Sequence, residues 1–126
     1  MGTALVAARA PGRTHVSAVW QGRLRVVPIA EVRYFLADHK YVAAGFPGGE
    51  LLLEDSLRQL ELDLGRPFLR VHRNALVAIA HVEALERGEN GLICVRLRDV
   101  SRRLVVSRRL LATVRVRLDN GRGEVM

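Results

Sequence analysis

Histidines, a cysteine and paired carboxylates are the side chains from which an active site would have to be built here, and none of them is spaced for it. The four histidines, His15, His39, His72 and His81, fall on separate segments, with no interval that sets two metal ligands on one helical face. Cys94 and His72 would make a nucleophile and base if they met, but Cys94 stands between Ile93 and Val95, where a small packed residue is the ordinary occupant. Glu54-Asp55 and Glu61 with Asp63 lie at the entrance and on the solvent face of a predicted helix, where charge is favourable without any function. Pro47-Gly48-Gly49 has neither the pattern nor the following lysine of a phosphate loop and reads as a turn. The residues point away from an enzyme, with no catalytic group, metal site or cofactor expected.

A different chemistry is concentrated at three predicted turns: Asp38-His39-Lys40-Tyr41, Arg70-Val71-His72-Arg73-Asn74 and Ser107-Arg108-Arg109. The planar fork of arginine matches the O6 and N7 acceptors of guanine in a major groove, and lysine or histidine serves phosphates and bases. Taken one at a time, each of these residues reads equally well as an exposed charge or a local backbone cap.

To act together they need a scaffold, and the sequence predicts a mainly β one. Period-two alternation and turn residues recur along the chain. Thr14 to Trp20 and Leu24 to Val26 make a hairpin about Gln21-Gly22, and Val32 to Ala37 pairs with Lys40 to Phe46 across Asp38-His39. Leu53, Leu57, Leu60 and Leu64 predict one short helix from about Ser56 to Leu64, capped by Asp55 or Ser56 and ended by Gly65 and Pro67. Phe68 to His72, Ala75 to Ile79, Val82 to Glu86, Leu92 to Arg98 and Leu104 to Val106 return to strand, with Asn90-Gly91 favouring a tight turn. Ser107 caps a short C-terminal helical turn through about Thr113.

A length of 126 residues fits one domain, a single cysteine suits a reducing cytoplasm, and no apolar run approaches the roughly 18 residues of a membrane helix. The net charge of +7 is unevenly placed. Residues 1–95 carry eleven basic and ten acidic residues, whereas Arg96 to Arg117 holds eight arginines against the single acid Asp99. Such an excess is the footprint of a surface that neutralises phosphates. Two alternatives share it. An RNA-binding β domain would need exposed members among Trp20, Tyr34, Phe35, Tyr41, Phe46 and Phe68 for base stacking, and a basic protein-interaction module would show no preference among DNA sequences.

The strings Val32 to Val42, Phe68 to Val77 and Leu104 to Arg109, in that order around a leucine-patterned helix, resemble the LytTR family of bacterial DNA-binding domains, in particular its alginate-regulator branch. The resemblance covers roughly residues 14–117. It implies an elongated stack of small, largely antiparallel sheets of about ten strands with one short helix, and a double-stranded DNA-binding output domain of a response regulator in a two-component system. In that pattern His39 and Lys40 form the first contact, Arg73 with Asn74 the second and Arg109 with Arg108 the third, supported by Arg70, His72 and Ser107. The implied partner is promoter DNA with paired imperfect repeats, bound by two copies. Many members carry glycine where this chain has His39, serine and an aromatic where it has Asn74 and Ala75, and asparagine where it has Ala78. The domain is expected over residues 14–118, after a flexible linker remnant at 1–13 and before a disordered tail at 119–126. A receiver domain, common in the family, has no room before residue 14.

Overall fold

The structure, a computed structural model, describes residues 13–123. Among the described residues are three antiparallel sheets, two α-helices and three single turns of 3-10 helix, at Ile29–Glu31, Ile79–His81 and Arg108–Leu110. In chain order the strands are β1 (His15–Trp20), β2 (Arg23–Pro28), β3 (Tyr34–Ala37), β4 (Val42–Phe46), β5 (Gly49–Leu53), β6 (Phe68–His72), β7 (Ala75–Ala78), β8 (Val82–Arg87), β9 (Ile93–Leu97) and β10 (Leu104–Val105). Helix α1 (Leu57–Leu64) connects β5 to β6, and α2 (Leu111–Gly123) follows β10.

The five-stranded sheet, ordered β5-β4-β3-β7-β6, is the middle layer. Because side chains alternate along a strand, its two faces supply two cores. Phe35, Leu76, Ala78 and Phe68 face one way and pack with Leu57 and Leu60 of α1 and with Val16 and Val27 of the β1–β2 hairpin. Tyr34, Leu69, Val71, Ala75 and Val77 face the other way and pack with Val95, Leu97 and Leu104 of the three-stranded sheet β8-β9-β10 and with Val114 and Leu118 of α2. Strand β7 is consequently buried along its whole length, as its unbroken apolar sequence Ala75-Leu-Val-Ala78 requires. Ala75 and Ala78 are covered on these two faces.

Local chemistry fixes the ends of these elements. Gln21 and Gly22 both have positive φ, 51° and 76°, which suits the tight turn that joins β1 to β2. Ser56 caps α1 by accepting from the Gln59 amide at 3.0 Å, and Gly65, at φ 69°, ends it. Gly45 lies opposite Tyr34 in the β3–β4 ladder, and a Cβ there would sit 2.0 Å from the tyrosine ring, so the glycine makes room for the ring.

Several boundaries differ from those the sequence predicts. Strand β4 begins at Val42, not Lys40, because the Lys40 and Tyr41 amides are taken by the Asp38 carboxylate. The β8–β9 connection is wider than a two-residue turn, with Gly88 donating to the Leu92 carbonyl at 2.7 Å. The C-terminal helical turn extends into the 13-residue α2. Residues 119–123 are therefore helical and not part of a disordered tail, while 124–126 lie outside the described residues. So does the predicted linker, apart from Arg13. That residue is fixed: its Nη1 lies 3.2 Å from Asp55 and 3.1 Å from Asp63. Among the described residues no helix is long and apolar enough to cross a membrane.

Candidate nucleic-acid interface

The first turn, Asp38 to Tyr41, joins β3 to β4 and is built around one carboxylate. Asp38 Oδ1 accepts from the Lys40 amide at 2.8 Å and the Tyr41 amide at 3.0 Å, and the Asp38 amide donates to the Tyr41 carbonyl at 3.0 Å. This closed arrangement leaves the His39 and Lys40 side chains exposed. The Lys40 ammonium lies 5.9 Å from the centre of the Tyr41 ring, within cation–π range. The backbone amides of Tyr41 and Lys40 hold the Asp38 carboxyl below its ordinary value of 3.8. It therefore stays an ionised acceptor at neutral pH.

The second turn, Arg73-Asn74, joins β6 to β7. The ladder shifts register between Arg70 and His72. His72 Nδ1 accepts from the Asn74 amide at 3.3 Å, which braces the turn from behind. Arg70 reaches over it to donate from Nη1 to the Arg73 carbonyl at 2.5 Å, while its Nε and Nη2 hold Glu61 Oε1 at 3.2 and 2.6 Å. The Arg73 side chain is exposed and has no hydrogen-bond or ion-pair partner among the described residues; Asn74 is half-buried.

The third turn begins at Ser107, half-buried, whose Oγ accepts from the Arg109 amide at 3.2 Å and whose carbonyl accepts from the Leu110 amide at 3.0 Å. Two hydrogen bonds satisfy backbone donors at the start of a helical segment and push Arg108 and Arg109 outward. Both side chains are exposed and unpaired among the described residues.

Backbone hydrogen bonds bring the three turns together at one end of the middle sheet. Strands β3 and β7 run antiparallel with Leu36 opposite Ala75, and the Ala37 amide donates to the Asn74 carbonyl at 2.8 Å, so the first and second turns are neighbours. The Ser107 amide donates to the Val71 carbonyl at 2.8 Å, which places the third turn beside the second. His39, Lys40, Arg73, Arg108 and Arg109 thus project from three adjoining turns, with Arg70, His72 and Ser107 in the bracing behind them.

The arginine excess of residues 96–117 is distributed differently from what its count suggests. Arg96 pairs with Glu83 and Glu86 at 3.6 and 3.4 Å, Arg103 with Glu86 at 3.3 Å and Arg102 with Glu50 at 3.4 Å. Arg117 donates to the Arg66 carbonyl at 3.1 Å. Acids that precede this segment in sequence have returned to it in space. Of its eight arginines, Arg98, Arg108, Arg109 and Arg115 keep side chains without a partner among the described residues, and two of the four stand on the third turn.

Two contributors escape a reading of the sequence. Glu61 meets Arg70 only because α1 packs on β6, and no local pattern encodes that pairing. Buried Arg33 lashes the middle sheet to the three-stranded one: Nε donates to the Arg98 carbonyl at 3.0 Å, Nη1 to the Glu31 carbonyl at 2.8 Å, and Nη2 pairs with Asp99 at 2.9 Å. Among the aromatics, Tyr34, Phe35 and Phe68 are buried, and Trp20 and Tyr41 are 58% and 38% exposed. That leaves little of the stacking platform single-stranded RNA requires.

Comparison with known proteins identifies the family and the fold. The model of the family described as LytTr DNA-binding domain matches residues 22–119. Over 104 residues, 82% of this chain, the sequence is 42% identical to the positive alginate biosynthesis regulatory protein of Pseudomonas aeruginosa, of whose length the match spans 42%. A solved LytTr DNA-binding domain from Bacillus cereus superposes with a TM-score of 0.74 over 85% of this chain and 98% of its own, at 22% identity, a likeness of fold.

Proposed function

The chain belongs to the LytTr DNA-binding domain family, and from that premise we propose that it reads specific double-stranded promoter sequence as the output domain of a bacterial transcription regulator in the cytoplasm. The observation that carries the reading is the row of three braced turns, on which Lys40, Arg73, Arg108 and Arg109 present side chains that form no ion pair with a carboxylate among the described residues. Arg109 and the His39-Lys40 turn read base edges in successive major grooves. Arg73 and Arg108 hold phosphates, and Asn74 supplies an amide beside Arg73. Two copies occupy paired imperfect repeats, and control comes from a receiver domain in the full regulator, since the relative from Pseudomonas aeruginosa is more than twice as long as the matched segment.

Division of labour between phosphates and bases is measurable. With about six phosphates neutralised, log K falls against log salt with a slope near −5. Selection from a random duplex pool returns a consensus made of two related half-sites. A flat salt response, or a pool without consensus, overturns the reading.

A further inference from the structure

We infer that Glu61, on the helix behind the second turn, is a positioning residue for DNA recognition that acts through Arg70 on Arg73. The inference rests on the reading of Arg73 and Asn74 as DNA contacts. Glu61 Oε1 receives both Nε and Nη2 of Arg70, at 3.2 and 2.6 Å, and this fixes the plane of the guanidinium. Fixed that way, the remaining Nη1 points at the Arg73 carbonyl, 2.5 Å away. The same turn offers its other carbonyl, that of Asn74, to the Ala37 amide of β3. One carbonyl is therefore set by the neighbouring strand and the other by a side-chain relay that begins on α1.

Removing the carboxylate frees a long side chain to rotate into solvent, because Arg70 is only half-buried. The Arg73 carbonyl then loses the one side-chain donor it has among the described residues, and the peptide carrying the Arg73 guanidinium gains freedom. Helix α1 remains in place, since its hold on the sheet comes from the buried Leu57 and Leu60 side chains, whose packing does not depend on the carboxylate. The predicted lesion is a loss of presentation without a loss of fold.

The test is a comparison of backgrounds. Glu61→Ala weakens binding to the selected duplex about three- to fivefold, the scale of a partly exposed ion pair, with Tm within about 3 °C of the parent. In a domain already carrying Arg73→Ala and Asn74→Ala the same substitution has no further effect on binding, because no contacting side chain is left to misplace. Glu61→Gln, which keeps an acceptor oxygen at the same reach, recovers part of the loss. An equal loss in both backgrounds, or one that tracks Tm, overturns the inference in favour of a general structural role. An unaffected Glu61→Ala domain beside a weakened Arg73→Ala/Asn74→Ala domain overturns it alone. If the Arg73→Ala/Asn74→Ala domain binds like the parent, the DNA-contact reading of this turn fails, and the inference with it.

Discussion

Arg109 projects from a turn whose geometry is set without it, by Ser107 and the Val71 carbonyl, so truncating its side chain leaves the scaffold intact. If its fork pairs with a guanine, Arg109→Ala removes about 1–3 kcal/mol from binding to the selected duplex and little from binding to random duplex. Equal losses on the two DNAs, measured by titration at fixed salt, would assign it to phosphates instead. Tyr34 offers a second test at this scale. Burial, reinforced by its hydrogen bond to Glu50, pushes its phenol up to about 12 from 10.0. A folded-state value above the unfolded one stabilises fully below pH 10 and loses that contribution as pH rises through 12. Urea midpoints should decline across that window, and a Tyr34→Phe domain should lack that component of the decline. Residue identities at the three turns were legible because their types and order are distinctive. Their freedom was not, because Arg96, Arg102 and Arg103 look the same in sequence as Arg108 and Arg109 until Glu50, Glu83 and Glu86 are brought beside them in space.

Among the elements, strands were read closely because alternation reports directly on two-sided burial, and α1 because its leucines and its Ser56 cap agree. Helix α2 runs well past the short turn that the sequence predicts, for a physical reason. Thr113, Val114, Val116 and Asn120 are indifferent helix formers, Gly121 and Gly123 poor ones, and intrinsic propensity alone does not sustain 13 residues. Val114 and Leu118, one turn apart, bury themselves with Leu69 and Val71 of β6, and that packing supplies what propensity lacks. Leu118→Ala should therefore cost about 2–3 kcal/mol in urea unfolding, whereas an unstructured tail would make it silent. The first turn shows the opposite failure. A carboxylate followed by two amides that fold back on it is a common local motif, and reading Asp38 as such a hinge would have moved the start of β4 to Val42.

For the whole molecule, strand-rich patterning reveals a mainly β fold and positive charge a polyanionic or acidic partner, while duplex DNA and the stack of small sheets come from the resemblance, and the placement of the helices on that stack comes from neither. Nothing in the sequence says that α1 and α2 cover opposite faces of the same sheet, because that depends on which way each connection crosses. The layering also explains why the cationic turns share an end: β3 and β6 run toward it and β7 leaves it. The main-chain bonds from Ala37 to Asn74 and from Ser107 to Val71 have a consequence for how such a protein changes over generations. Peptide groups are the same whichever amino acid bears them, so substitutions at 39, 40, 73, 108 and 109 leave the spacing of the three turns untouched. With the contacts proposed above, new target preferences arise by exchanging tips on an unaltered chassis, and proteins of this shape can part company in what they recognise.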